Sequence, residues 1–298
     1  MESNLTQVGI IGAGELGRAL GNALTRAQLQ VLYYDRAANR STTGSIEDLV
    51  SACEVLLICV SSWEVEGVLK QIKKAAHPSV KRVVITCSKG VERSFITMDK
   101  LLRERLPNNY DIGVLYGPMI ANEIERERPA YGVLALSNPS WFMNLRAHFA
   151  QAHIHVELTN DMHGVAIAAS LKNIYAIGFG MLDGLHLGLN SKGKMAVMVL
   201  AEMKRILSDM HADVRTAEGL AGLGDILSTG FGDESFNYRI GKSLADRIAD
   251  EHIRSEGLVA LSELEHHVQL KHYPVAGTID KIVFHYADPR TLTVLLST

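Results

Sequence analysis

The chain has 298 residues, about twice a typical domain of roughly 150, so two domains are expected, each large enough to bury its own core. Hydrophobic residues make up 47% and charged residues 21%, which excludes a disordered chain, and a formal net charge of -3 gives no electrostatic reason to expect nucleic acid or a membrane as partner. No apolar run reaches the roughly 18 uncharged residues of a spanning helix, MESNLTQVGIIG lacks the basic-then-apolar order of a secretory signal, and Cys53, Cys59 and Cys87 lack metal-ligand spacing, so a cytoplasmic, metal-free protein with reduced cysteines is expected.

Along the first half, short β-branched runs alternate with helix-length stretches: QVGII (7–11), QVLYYD (30–35), EVLLICV (54–60), RVVITC (82–87), IGVLY (112–116), YGVLAL (131–136) and HIHVEL (153–158). Runs of this length spaced by helices predict a doubly wound α/β domain, its parallel sheet covered on both faces. After the first run, Gly12-Ala13-Gly14-Glu15-Leu16-Gly17 opens the helix RALGNALTRA, and Asp35 closes the second run about 20 residues later. Gly12 permits the tight turn, Gly14 lets a pyrophosphate approach the backbone, Gly17 lets helix and strand pack closely, and the helix start supplies unpaired N–H donors. A dinucleotide site is therefore expected. Asp35 suits the ribose hydroxyls of NAD, while Arg36 and Arg40 stand near enough to receive the 2'-phosphate of NADP.

From Asn160 the texture changes, and NDMHGVAIAASLKNIYAIGFGMLDGLHLG and NSKGKMAVMVLAEMKRILSDM repeat apolar residues every three or four positions. An all-helical second domain is expected, dividing the chain into 1–158 and 159–298. His153, His155 and Glu157 read as a solvated strand face, His266-His267 as the polar face of a helix, and Met181, Met195, Met198 and Met203 as core filler.

Further stretches complete a pattern: CSKGVE (87–92), YGPMIANEI (116–124), SLKNIYAIGFGMLDGLHLGLNSK (170–192), GLAGLGDILSTG (219–230) and SEGLVAL (255–261). With the glycine loop and a C-terminal YPVAGTIDKIVF, they resemble the NAD(P)-dependent glycerol-3-phosphate dehydrogenase family over nearly the whole chain. The resemblance implies an N-terminal Rossmann domain, a 6-phosphogluconate dehydrogenase-like helical domain, and interconversion of glycerol 3-phosphate and dihydroxyacetone phosphate by hydride transfer, with a homodimer possible. Lys172 takes the position of the family's catalytic lysine, the proton donor and acceptor at the carbonyl oxygen. Its neighbours Ile167, Ala168, Leu171, Tyr175, Ala176 and Phe179 predict burial, which together with the ammonium of Lys89 lowers its pKa. Asp225 and Thr229, four apart, share a face if that segment is helical, and with Asn173 complete the implied catalytic set. Gly12, Ala13, Gly14, Glu15, Leu16, Gly17, Asp35, Arg36, Ser61, Lys89, Ala121, Arg254 and Glu256 fall at cofactor positions. Lys89, Gly117, Met119, Lys172, Asp225, Ser235, Phe236 and Asn237 fall at substrate positions.

The pattern is broken in three places. The family's Ser-Arg-Asn, whose arginine meets a phosphate, is here Ser235-Phe236-Asn237; Met119 replaces a polar residue after Gly117-Pro118; and the segment after Asp35 is too short for the helix expected there. Loss of an arginine–phosphate contact of roughly 1.5–3 kcal/mol weakens a phosphorylated ligand unless Arg239 or Lys89 replaces it. Two alternatives follow: a reductase of the same family acting on a small ketone or 2-hydroxy compound without phosphate, and a non-catalytic nucleotide-binding sensor.

Overall fold

A computed structural model describes residues 5–77, 80–246 and 253–297. The chain divides into two compact units, one comprising Met1–Ser88 and Met98–Met162, the other Lys89–Thr97 and His163–Thr298. A single cut near residue 158 leaves 89–97 with the first domain; in the structure these residues cluster with the helical unit.

In the first unit, β1 (Gln7–Ile11), β2 (Gln30–Tyr34), β3 (Val55–Ile58), β4 (Arg82–Thr86), β7 (Tyr110–Tyr116), β8 (Ala130–Leu136) and β9 (Ile154–Thr159) form one sheet in the order β2-β1-β3-β4-β7-β8-β9. The unbroken apolar runs become the central strands, and every residue of β3 and β4 is buried. Arg82 is tolerated there because its Nε donates to the carbonyl of Val50 at 2.7 Å. Helices α1 (Glu15–Arg26), α2 (Ile46–Ala52), α3 (Ser62–Lys74), α4 (Met98–Arg105), α5 (Ala121–Glu125) and α6 (Phe142–Gln151) supply the connections.

The sheet is not wholly parallel as the sequence pattern suggests. β8 runs antiparallel to β7, with Gly113 opposite Leu136 and Tyr116 opposite Val133. The link from β7 to β8 holds only the five-residue α5, and the chain turns back along β7. Between β2 and α2 lies a single 3-10 turn, Ala38–Arg40, and Ser45 then caps α2 by accepting the Asp48 amide at 3.1 Å.

The second unit adds a small hairpin, β5 (Val91–Glu92) with β6 (Ile96–Thr97), which the sequence reading did not anticipate. Around α7 (Met162–Gly184) are α8 (Gly188–Asp209), α9 (Asp225–Gly230), α10 (Phe236–Ala245), α11 (Glu256–Leu264), α12 (Pro274–Phe284) and α13 (Thr291–Leu296). α7 is long and apolar enough to cross a membrane, but its most apolar window is fully buried, the situation of a core helix. Its Ile174, Ile177 and Phe179 join Met195, Met203 and Ile279 in one core. Glu202 on α8 is 3% exposed and accepts the first amides of α12, from Val275 at 2.7 Å and Ala276 at 2.8 Å. Burial pushes its carboxyl up, while these donors at the positive end of a helix favour the charged form.

Candidate active site

Within the helical unit, one buried carboxylate sits between two ammonium groups. Asp225, 2% exposed, opens α9; its Oδ2 lies 2.5 Å from Lys89 Nζ and its Oδ1 3.5 Å from Lys172 Nζ. Lys172, on α7, also donates to Thr229 Oγ1 at 3.2 Å, and Thr229 donates to Asp225 Oδ1 at 3.4 Å. The expectation that Asp225 and Thr229 share a helix face is met, because α9 spans both residues.

The second layer is a chain of amides. Asn173 donates to the Lys89 carbonyl at 2.8 Å, Asn237 donates to Asn173 Oδ1 at 3.1 Å, and the Gly257 amide donates to Asn237 Oδ1 at 3.0 Å. Each asparagine thus has its side-chain oxygen and nitrogen assigned by a distinct partner, fixing the backbone that presents the two lysines. Ser235 is not in this chain; its hydroxyl caps α10 through the Tyr238 amide at 3.4 Å.

Lys172 is 9% exposed, and burial is the main reason its pKa falls from 10.5 to about 8. The Asp225 carboxylate opposes that fall, the Lys89 ammonium adds to it, and Glu256 at the start of α11 pulls weakly back. An amine that titrates near neutrality can both give and take a proton.

Phe236 is 49% exposed on α10, and the Arg239 guanidinium lies over its ring, 5.8 Å from the centroid. Arg239 does not serve as a free replacement for the missing arginine. Its Nη1 donates to the carbonyls of Asp233 at 2.9 Å and Glu234 at 3.1 Å, bracing the turn before α10.

The glycine loop occupies the first unit. Gly12 adopts φ +98°, a region costly for any side chain, and donates its amide to the Tyr34 carbonyl at 2.8 Å. A Cβ at Gly17 would collide with the Gly12 carbonyl, whereas one at Gly14 would meet nothing within 4 Å. α1 therefore begins before an open cradle, with Gly14 as its cap and no side chain closing it, which fits a dinucleotide pyrophosphate. Asp35 accepts the Ala13 amide at 2.8 Å and the Ala37 amide at 2.8 Å, which ties the loop to the end of β2 and leaves oxygen lone pairs for ribose hydroxyls. Arg36, the cation expected near a 2'-phosphate, is paired instead with Glu64 on α3.

The remaining candidates are dispersed. Glu15 and Leu16 start α1, Ser61 precedes α3, Ala121 begins α5, and Arg254 is exposed just before the Ser255 cap of α11. Gly117 follows β7 at φ +139°. Met119 was expected at the substrate, yet it is 6% exposed and packed in the core of the first unit, beside Gly132. His155 and Glu157 point to solvent from β9 while His153 precedes it, and no group of three or more potential ligands for a metal occurs among the described residues. The sequence reading gave no role to Gly257, although it lies in the SEGLVAL stretch, or to Glu64, since no spacing links them to Asn237 and Arg36.

Residues 39–142 match the N-terminus and residues 161–294 the C-terminus of NAD-dependent glycerol-3-phosphate dehydrogenases. The chain is 32% identical to glycerol-3-phosphate dehydrogenase (NAD(P)+) of Geobacter sulfurreducens over 284 residues, 85% of this chain and 84% of that protein. It is also 32% identical to the enzyme of that name from Trichormus variabilis over 240 residues, 80% and 76% of the two chains. The crystal structure of glycerol-3-phosphate dehydrogenase from Coxiella burnetii shares the fold, with a TM-score of 0.87 at 24% identity over 99% of this chain and 100% of that one. The chain belongs to the NAD-dependent glycerol-3-phosphate dehydrogenase family.

Proposed function

We propose that the protein is a cytoplasmic NAD(P)-dependent dehydrogenase interconverting glycerol 3-phosphate and dihydroxyacetone phosphate. The observation that carries this reading is the Lys172 ammonium, buried against Asp225 and Thr229 and brought to a pKa of about 8 chiefly by that burial. Gly12, Gly14, Gly17 and Asp35 would hold the dinucleotide, whose nicotinamide supplies or accepts the hydride. In ketone reduction the carbonyl oxygen gains negative charge, and Lys172 delivers a proton there; in alcohol oxidation the neutral amine removes it. Thr229 and Asp225 aim the amine, and Lys89 adds a fixed positive charge beside it. Asn173 and Asn237 hold this set in place. With Arg239 engaged by carbonyl oxygens, recognition of an anionic substrate falls on the lysines, and Phe236 contributes apolar surface.

The test is consumption of NADH or NADPH with dihydroxyacetone phosphate. Wild-type protein is expected to turn over, and Lys172→Ala to lose about 100-fold or more in kcat while keeping its cofactor affinity. No turnover of the phosphorylated ketone by the wild type, or a Lys172→Ala rate equal to it, refutes the proposal.

A further inference from the structure

Two of the three cysteines stand side by side at the C-terminal edge of the sheet. β3 and β4 are parallel with Ile58 opposite Thr86, and one step further Cys59 donates its amide to the Ile11 carbonyl and Cys87 its amide to the Ile58 carbonyl, each at 2.8 Å. The ladder thus continues by one residue and sets Cys59 opposite Cys87. Both belong to the apolar face that carries Val55, Leu57, Val83 and Ile85. The Cys87 side chain is the largest cause of the raised pKa of the Cys59 thiol, as expected of two neighbouring thiols. Adjacent strands lie about 4.8 Å apart, within the roughly 4.4–6.8 Å Cα separation at which a disulfide closes. Cys87 is buried and Cys59 half-buried.

The pair also touches the cradle. A Cβ at Gly17 would lie 3.3 Å from Cys59 Cβ, and one at Gly12 would lie 2.9 Å from the Cys59 carbonyl carbon and the Val60 nitrogen. Cys59 and Val60 are therefore the floor under the tight turn and the first turn of α1, where displacement by a few tenths of an ångström has nowhere to go.

We propose that Cys59 and Cys87 form a reversible dithiol–disulfide site, oxidised by peroxides, whose closure weakens dinucleotide binding at the adjacent glycine loop; the coupling to the cofactor rests on the nucleotide reading above. One thiolate attacks a peroxide oxygen, breaking the O–O bond to give a sulfenic acid and water, or an alcohol from an organic peroxide. The other thiol loses its proton, attacks that sulfur and expels water. Two thiols thereby lose two protons and two electrons, and the peroxide is reduced. Closure draws the two sulfurs together to a bond of about 2.05 Å, and the backbone of Cys59 and Val60 follows. The Cys87 side chain and burial hold the Cys59 thiol well above its ordinary value. Thiolate is then scarce at neutral pH, so the site answers to high peroxide and reacts faster as pH rises.

The experiment uses the full-length protein, reduced and then treated with hydrogen peroxide, with peptide mass spectrometry and NADH titration before and after, and again after dithiothreitol. Expected are a cross-linked peptide joining residues 59 and 87, an NADH Kd raised about tenfold, which is about 1.4 kcal/mol, and recovery on reduction. Cys53→Ala should respond like wild type, and Cys87→Ala should bind NADH when reduced and ignore peroxide. Free thiols, separately oxidised sulfinic acids, or a cross-link with unchanged Kd overturn the proposal. Failure of the reduced protein to bind NADH overturns the nucleotide reading and the coupling with it, and the peptide masses then decide the dithiol site alone.

Discussion

Replacing Asp225 with asparagine keeps the side chain's shape between Lys172 and Lys89 and removes its charge. In the wild type, burial and Lys89 push Lys172 down and Asp225 holds it up, with a balance at about 8. Lys172 Nζ lies 3.5 Å from Asp225 Oδ1, and at an effective dielectric of about 20 the attraction is roughly 5 kcal/mol. Even about a third of that moves a pKa by one unit, at about 1.4 kcal/mol per unit. Of the forces that remain in Asp225→Asn, burial and Lys89 act downward, against only the weak upward pull of Glu256. As the acid in ketone reduction, Lys172 must be protonated, so wild-type kcat/KM should fall as pH rises through about 8, and the fall in the variant should begin at least about one pH unit lower. In alcohol oxidation the neutral amine is required, and the rising limb should shift down by the same amount. The assay is kcat/KM against pH in both directions. An unmoved or upward-shifted limb would sink the account of Lys172 as the titrating group.

Three other outcomes are expected. Glu64→Gln releases Arg36 from its ion pair and should raise the preference for NADPH over NADH by a few-fold to about tenfold in kcat/KM, whereas an unchanged ratio removes Arg36 from 2'-phosphate recognition. Phe236→Arg should lower the KM for dihydroxyacetone phosphate about tenfold or more while leaving dihydroxyacetone little changed; equal effects on both would mean that position 236 does not face the phosphate. In thermal or denaturant unfolding, wild type should gain stability relative to Lys172→Met as pH rises. The folded-state pKa of about 8 lies below the ordinary 10.5, so the unfolded chain binds more protons between these values, and wild type should gain about 3 kcal/mol across that window. A flat or falling difference contradicts the buried ammonium.

The strands were legible in the sequence because runs such as EVLLICV and RVVITC carry their own period and length, and a strand buried on both faces needs nothing but local apolarity. The glycine loop was legible for the same reason: turn, approach and helix start are all demanded within six residues of backbone. The Asp225–Thr229 spacing likewise needed only a helix. Beyond that reach, local pattern is silent. The reversal of β8, the packing of residues 89–97 with the helical unit, and the burial of Met119 depend on which segments become neighbours. The same holds for Arg36, taken by Glu64. A long cation takes whichever partner the fold presents, and that competition is settled among residues far apart in the chain, so tertiary structure alone decided where these charges went.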